Sequence, residues 1–343
     1  MANIDLLSLT PHQVSRDLRG YTVFFYGDPK TGKTTTASRF PESLLLAFEK
    51  GYNAIPGIMV QPLNSWAEFR KTLRELKKEE VKEKFSTIII DTADIAYDYC
   101  VRYICDNAKR SDGGFGVDAI SDIPFGKGYG LVSQEFDECL RSIVQLDYGL
   151  VLISHATDKV FTDEQGKEYN KIVPTLDKRA SNIISRMTDI IGYARVVKNE
   201  KGENSTKLFL RGTDRFMAGS RFKCTPDYID FTYQNLVDAI AEAIDKQSQE
   251  EDKSFFTDKR NNLFKDTTKE LDFDALMLDF DNIINRLIAK GEDEFKEFYA
   301  PRVTQITDKY LGRGQKVSQM SREQVEALSL IIDDLHELEA LKR

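Results

Sequence analysis

The 343-residue chain is poor in the residues that staple small folds or hold transition metals, with four cysteines and three histidines. Cys100, Cys105, Cys139 and Cys224 form no CxxC pair, which argues against a zinc ribbon or a disulfide framework and for free thiols in a reducing compartment. No apolar run approaches the roughly 20 residues of a membrane span, and no leader pattern opens the sequence, so a cytoplasmic protein without a membrane partner is expected. Internal repeats are absent. Positive charge is also short: the net charge is −8 with a pI near 5.2, and residues 241–343 hold 16 Lys and Arg against 23 Asp and Glu. A broad basic surface is therefore excluded, and any nucleic-acid contact has to be local.

What is present is an alternation of strand and helix patterns. TVFFY (22–26), SLLLAF (43–48), STIIID (86–91) and YGLVLISH (148–155) are short apolar runs fit for buried parallel strands. Helical periods lie between them, with Trp66, Phe69, Leu73 and Leu76 on one stripe. The pattern predicts an α/β core, a mostly parallel sheet flanked by helices, followed by an all-helical C-terminal extension. The expected divisions are an arm over 1–20, a core over 21–246, a charged linker over 247–270 and a helical domain over 271–343. In the last of these, Val325, Leu328, Ile331, Leu335 and Leu338 form one apolar stripe behind a capping-box pattern at Ser321.

The strongest motif is Gly27-Asp28-Pro29-Lys30-Thr31-Gly32-Lys33-Thr34-Thr35, which satisfies GxxxxGK[ST] between a strand and a helix. Glycines let backbone amides turn toward phosphates, and the helix N-terminus adds a favourable dipole. Lys33 is expected on the terminal phosphates and Thr34 on Mg²⁺, which makes ATP and Mg²⁺ the expected cofactors. A second Mg²⁺-side group is expected at Asp91, closing a hydrophobic strand taken to neighbour the phosphate-loop strand. No glutamate follows Asp91, so the water-activating base has to come from elsewhere. Glu49, ending the next strand after the phosphate-loop helix, is the candidate, and His155, ending LVLISH, is a candidate γ-phosphate reporter. Asp94 reads either as a supporting group beside the metal site or as a helix N-cap.

With Lys33, Glu49, Asp91 and His155 in that order, the chain resembles RecA-like phosphate-loop ATPases, in particular phage-encoded RecA-type recombinases and single-strand annealing ATPases. GDPKTGKTT, LLLAFEKG, STIIIDTAD, IPFGKGYG, LVLISHATDK and MAGSRFK carry the resemblance over residues 20–230. It implies a RecA-like core, ATP-dependent oligomerisation as a ring or filament on single-stranded DNA, and a host-cell cytoplasmic location, with a single-strand-binding protein as a further candidate partner. It also implies DNA-path loops at 109–130 and 157–179, where cations interleave with aromatics. Lys127, Tyr129, Lys159 and Lys171 are the DNA-binding candidates, and Lys178 and Arg221 the candidates for a finger reaching a neighbouring subunit's phosphate. A ring-type helicase or helicase loader, and an ATP-switched protein scaffold, are the alternative readings.

Overall fold

A computed structural model of the chain describes residues 7, 10–110, 113–198, 202–251, 255–260 and 271–340. Residues 1–6 and 8–9 of the expected arm, and 252–254 and 261–270 of the expected linker, lie outside the described residues. The strands, in chain order, are β1 (Val14–Ser15), β2 (Thr22–Gly27), β3 (Ser43–Ala47), β4 (Val60–Pro62), β5 (Thr87–Asp91), β6 (Gly149–Thr162), β7 (Glu168–Pro174), β8 (Ile190–Lys198), β9 (Asn204–Phe209), β10 (Gly219–Ser220), β11 (Tyr228–Asp230) and β12 (Phe256–Thr257). The helices of the same unit are α1 (Lys33–Ala37), α2 (Trp66–Glu75), α3 (Glu79–Lys84), α4 (Ala93–Asn107), α5 (Lys127–Gln145), α6 (Lys178–Met187) and α7 (Tyr233–Glu250).

Among the described residues, ten strands form one sheet in the order β11-β9-β8-β2-β6-β5-β3-β4, with β10 on β8 and β7 on β6. The pairs from β8 through to β4 are all parallel, as strands joined by helical crossovers must be. Alternation along each strand feeds both faces. Phe24, Tyr26, Ile88, Ile90, Leu150 and Leu152 pack against α2, α4, α5 and α6 on one side. Val23, Phe25, Leu45, Ile89, Val151 and Ile153 pack with Ala37, Leu236, Ile240 and Ile244 on the other. Each such fully buried large side chain is worth about 1.5–3 kcal/mol of transfer free energy.

Three features differ from the pattern read in the sequence. The strand of Asp91 does not neighbour the phosphate-loop strand: β6 is inserted between them, pairing with both. Its run Gly149–Ser154 is buried throughout, the property that fits a strand to the centre of a sheet covered on two faces. The loop expected over 109–130 gives way to helix at Lys127, because Gly128 lets the first turn of α5 lie against Ile120, where a β-carbon would come 2.6 Å from the Ile120 carbonyl oxygen. The core limit expected at 246 falls inside α7, which runs to Glu250, and Phe256–Thr257 pairs with Val14–Ser15, so part of the expected linker belongs to this unit.

A second unit lies within residues 266–343, and its described residues are helical wherever they are regular: α8 (Phe273–Ala289), α9 (Glu292–Glu294), a π-turn over Phe295–Tyr299, α10 (Ala300–Leu311) and α11 (Val325–Ala340). Leu328, Ile331, Leu335 and Leu338 close its core together with Ile283, Leu287 and Tyr299.

Candidate functional site

The carboxyl ends of the parallel strands are level, since Gly27 pairs with His155 and Asp91 with Ile153 and Ala47. The groups that leave those ends therefore meet in one crevice, as open α/β sheets arrange. A cleft of about 340 Å³ there is lined by Lys33, Thr34, Glu49, Gly51, Asp91 and His155 among others. The loop over residues 27–32 hands directly into α1, with Gly32 left-handed at φ 85° as its N-cap. Thr31 is buried and its hydroxyl donates to Asp28 O at 2.9 Å, which braces the loop internally.

Lys33 is buried, and its Nζ donates to Gly27 O at 3.0 Å and Asp28 O at 2.7 Å. Burial holds its pKa below the ordinary lysine value, against the opposing pull of Asp91 and Glu49. Thr34 Oγ1 donates to Asp91 Oδ2 at 2.7 Å, while Asp91 Oδ1 is buried without a partner among the described residues. Beside them, a β-carbon on Gly51 would stand 3.8 Å from both Asp91 Oδ2 and Thr34 Oγ1 and 3.3 Å from Glu49 Oε1. An orphan carboxylate oxygen, an adjacent hydroxyl and a neighbour without a side chain fit a hard divalent cation held with water and phosphate oxygens. Thr34 and Asp91 would hold it, and the backbone N–H groups between Gly27 and Thr35, of which Pro29 has none, would hold the phosphates with Lys33.

Glu49 Oε2 stands 3.5 Å from His155 Nε2, and that hydrogen-bonding carboxylate holds His155 above the ordinary imidazole range despite burial. Asp94 is not the helix cap. Thr92 occupies the N-cap of α4, and Asp94 Oδ2 accepts from Thr175 Oγ1 at 2.6 Å, Ser154 Oγ at 3.3 Å and His155 N at 3.4 Å. Burial would raise its pKa, but the Thr175 hydroxyl and its other partners keep it below the ordinary aspartate value. Thr175 and Gly51 went unnoticed as site residues in the sequence. Gly51 carried a signal, standing two residues after Glu49, whereas nothing local marks Thr175.

A protein-family model described as an AAA domain matches residues 19–222, more than half of the chain. The chain belongs to this AAA-domain family. An SPbeta prophage-derived uncharacterized protein, YorG, of Bacillus subtilis (strain 168) is 33% identical over 346 residues, covering 98% of each chain. The crystal structure of KaiC-like protein PH0186 from Pyrococcus horikoshii OT3 overlaps 65% of this chain and all of its own, at 12% identity and a TM-score of 0.35. So loose an overlap bears on no functional point.

In this AAA-domain chain β6 does not stop at the cleft. It continues from His155 to Thr162 and returns as β7, forming a two-stranded arm whose turn is fixed by Asp163 Oδ1 accepting from Gln165 N and Lys167 N. Lys159 lies directly opposite Lys171, and Phe161 opposite Tyr169 with ring centroids 6.0 Å apart. Spaced by two and paired across the strands, these four share one face of the arm. The other two DNA candidates fall in the first turn of α5 rather than in a loop. Lys127 lies 6.0 Å from the Phe125 ring, and Tyr129 is covered by the Arg179 guanidinium at 4.3 Å. Of the two finger candidates, Lys178 is exposed at the first position of α6. Arg221 is engaged within its own chain, to Asp189 Oδ1 at 3.0 Å and Arg186 O at 2.8 Å.

Proposed function

We propose that this protein is a Mg²⁺-dependent ATPase whose turnover responds to single-stranded DNA, acting in phage-type recombination or annealing. The observation that carries this reading is the continuity of β6: one strand bears His155 at the cleft and, four residues on, the Lys159–Lys171 pair of the arm. Two like charges opposite each other are unfavourable in a free hairpin. A polyanion lying along them would offset that repulsion, and the Phe161–Tyr169 rings would offer bases a stacking face. The 33% identity to a prophage-derived protein supports the phage setting.

A divalent cation held by Thr34 and Asp91 would supply charge neutralisation on the terminal phosphates. Lys33 gives up its contacts to Gly27 O and Asp28 O and turns its ammonium to the phosphate oxygens. Glu49 orients the attacking water and accepts its proton, and His155, beside it at 3.5 Å, senses whether the terminal phosphate is present. Lys178 is the better finger candidate, because Arg221 would have to leave Asp189. A ring or filament of copies would supply that finger. The decisive experiment measures ATP hydrolysis with and without an oligo-dT strand in wild type, Lys33→Ala, Glu49→Gln and the Lys159→Ala/Lys171→Ala double variant. Stimulation in wild type alone supports the reading. Equal rates with and without DNA would favour the switched-scaffold alternative, and unwinding of a forked duplex the helicase.

A further inference from the structure

We infer that Asp94 and Thr175 form a latch that fixes His155 against Glu49 and ties the base of the arm to the strand end bearing Asp91. The inference rests on the reading of the cleft as an ATPase site. Asp94 sits in the first turn of α4, directly after β5, and its carboxylate reaches across the sheet end. Oδ1 accepts from Ile95 N at 3.1 Å, within its own turn. Oδ2 collects three donors at the base of the arm: Ser154 Oγ and His155 N of β6, and Thr175 Oγ1 just past β7.

Thr175 closes the loop from the other side, its backbone N–H donating to His155 O at 3.0 Å. Residue 155 is thus gripped at both of its backbone polar groups, its N–H by Asp94 and its carbonyl by Thr175. With the backbone pinned, the Cα of His155 is held where its imidazole reaches 3.5 Å from Glu49. The shortest of these contacts, Thr175 hydroxyl to Asp94 carboxylate at 2.6 Å, has the length of a charge-assisted hydrogen bond. A displacement of either arm strand at its base has to stretch this contact or move His155. Neither Asp94 nor Thr175 lines the cleft, so both act as positioning residues.

The test uses the full chain with Thr175→Val, Thr175→Ser and Asp94→Asn. Steady-state hydrolysis of Mg·ATP is measured with and without an oligo-dT strand, and amide hydrogen exchange is followed at His155 and Thr175. Thr175→Val and Asp94→Asn are expected to lower kcat on the order of tenfold with KM for ATP within about twofold, as a misplaced catalytic neighbour does. Thr175→Ser, which keeps the hydroxyl, should restore kcat. Exchange at residues 155 and 175 should accelerate at least about tenfold in Thr175→Val and not in Thr175→Ser, because the opened latch frees both amides. Oligo-dT should still bind Thr175→Val, with its stimulation reduced toward none. Wild-type kcat together with wild-type exchange in Thr175→Val would overturn the latch, as would a fall in kcat that serine does not rescue. If the wild-type chain shows no Lys33-dependent hydrolysis, the ATPase reading fails, and the exchange rates alone then decide the latch.

Discussion

Asp91 offers a direct measure of what the candidate metal site costs the fold. Asp91 is 2% exposed, with Oδ2 accepting from Thr34 and Oδ1 facing no partner among the described residues. Burial raises its pKa from 3.8 to about 6, against the opposing effects of the Thr34 hydroxyl and the Lys33 ammonium. At 1.36 kcal/mol per tenfold change in proton affinity, keeping this group ionised in the metal-free fold costs about 3 kcal/mol. The sign follows from proton uptake. The folded state binds the proton more tightly than the unfolded one, so stability from this group is greatest near pH 4, falls as the pH rises to about 6, and stays lost above. Asparagine keeps an oxygen for Thr34 and carries no charge. Asp91→Asn is therefore expected to stabilise the metal-free protein by up to about 3 kcal/mol at pH 7.5, roughly 6–12 °C in Tm for a domain of this size, and by nothing near pH 4. Trp66 is the one tryptophan and is fully buried in the sheet unit, so urea unfolding in EDTA followed by its fluorescence reads that unit. A variant no more stable than wild type at pH 7.5, or a gain that persists at pH 4, would refute the reasoning.

Glu49→Gln should return the His155 titration toward the ordinary imidazole value, visible in the ring proton shifts of a titration by NMR, since the Glu49 contact is the main cause of its elevation. The stability this pair contributes is present below the unfolded histidine pKa and is lost as pH rises through the folded value, so the wild-type advantage over Glu49→Gln should vanish in alkaline buffer. The two phosphate-loop glycines should fail differently on mutation to alanine. At Gly27 the new β-carbon would sit 2.1 Å from Ala194 O, so soluble folded protein is not expected. At Gly32 nothing lies within 4 Å, and the left-handed φ of 85° alone should cost about 1–2 kcal/mol, read by urea melts. Lys159→Ala or Lys171→Ala should lower the slope of log K against log salt for oligo-dT binding by about 0.7 each, the single-strand value per phosphate contact; unchanged slopes would remove the arm from the DNA path.

How much was legible in the sequence depends on how local the signal is. The phosphate loop is nine consecutive residues whose backbone makes the site, so Lys33 and Thr34 could be read from spacing alone. The apolar runs of β2, β3, β5 and β6 and the stripes of α2 and α11 were equally plain, because a buried face imposes its period on neighbouring positions. Start points were less legible where glycines stood: Gly126, Gly128 and Gly130 argue for a loop by propensity, and packing against Ile120 overrides them at the start of α5.

The sequence by itself therefore determined the strand-and-helix alternation, the nucleotide motif and the acidic polar balance of the C-terminal third, all properties of residues close in the chain. Only the tertiary structure decided that β6 lies between β2, which leads into the phosphate loop, and the strand of Asp91, and that Glu49 meets His155, 106 residues away, at 3.5 Å. It alone brought Thr175 to Asp94 across 81 residues. The physical reason is that strand order is set by which strand can be buried on both faces and how each crossover packs. The meeting of side chains at the strand ends then follows from register, which no single segment encodes.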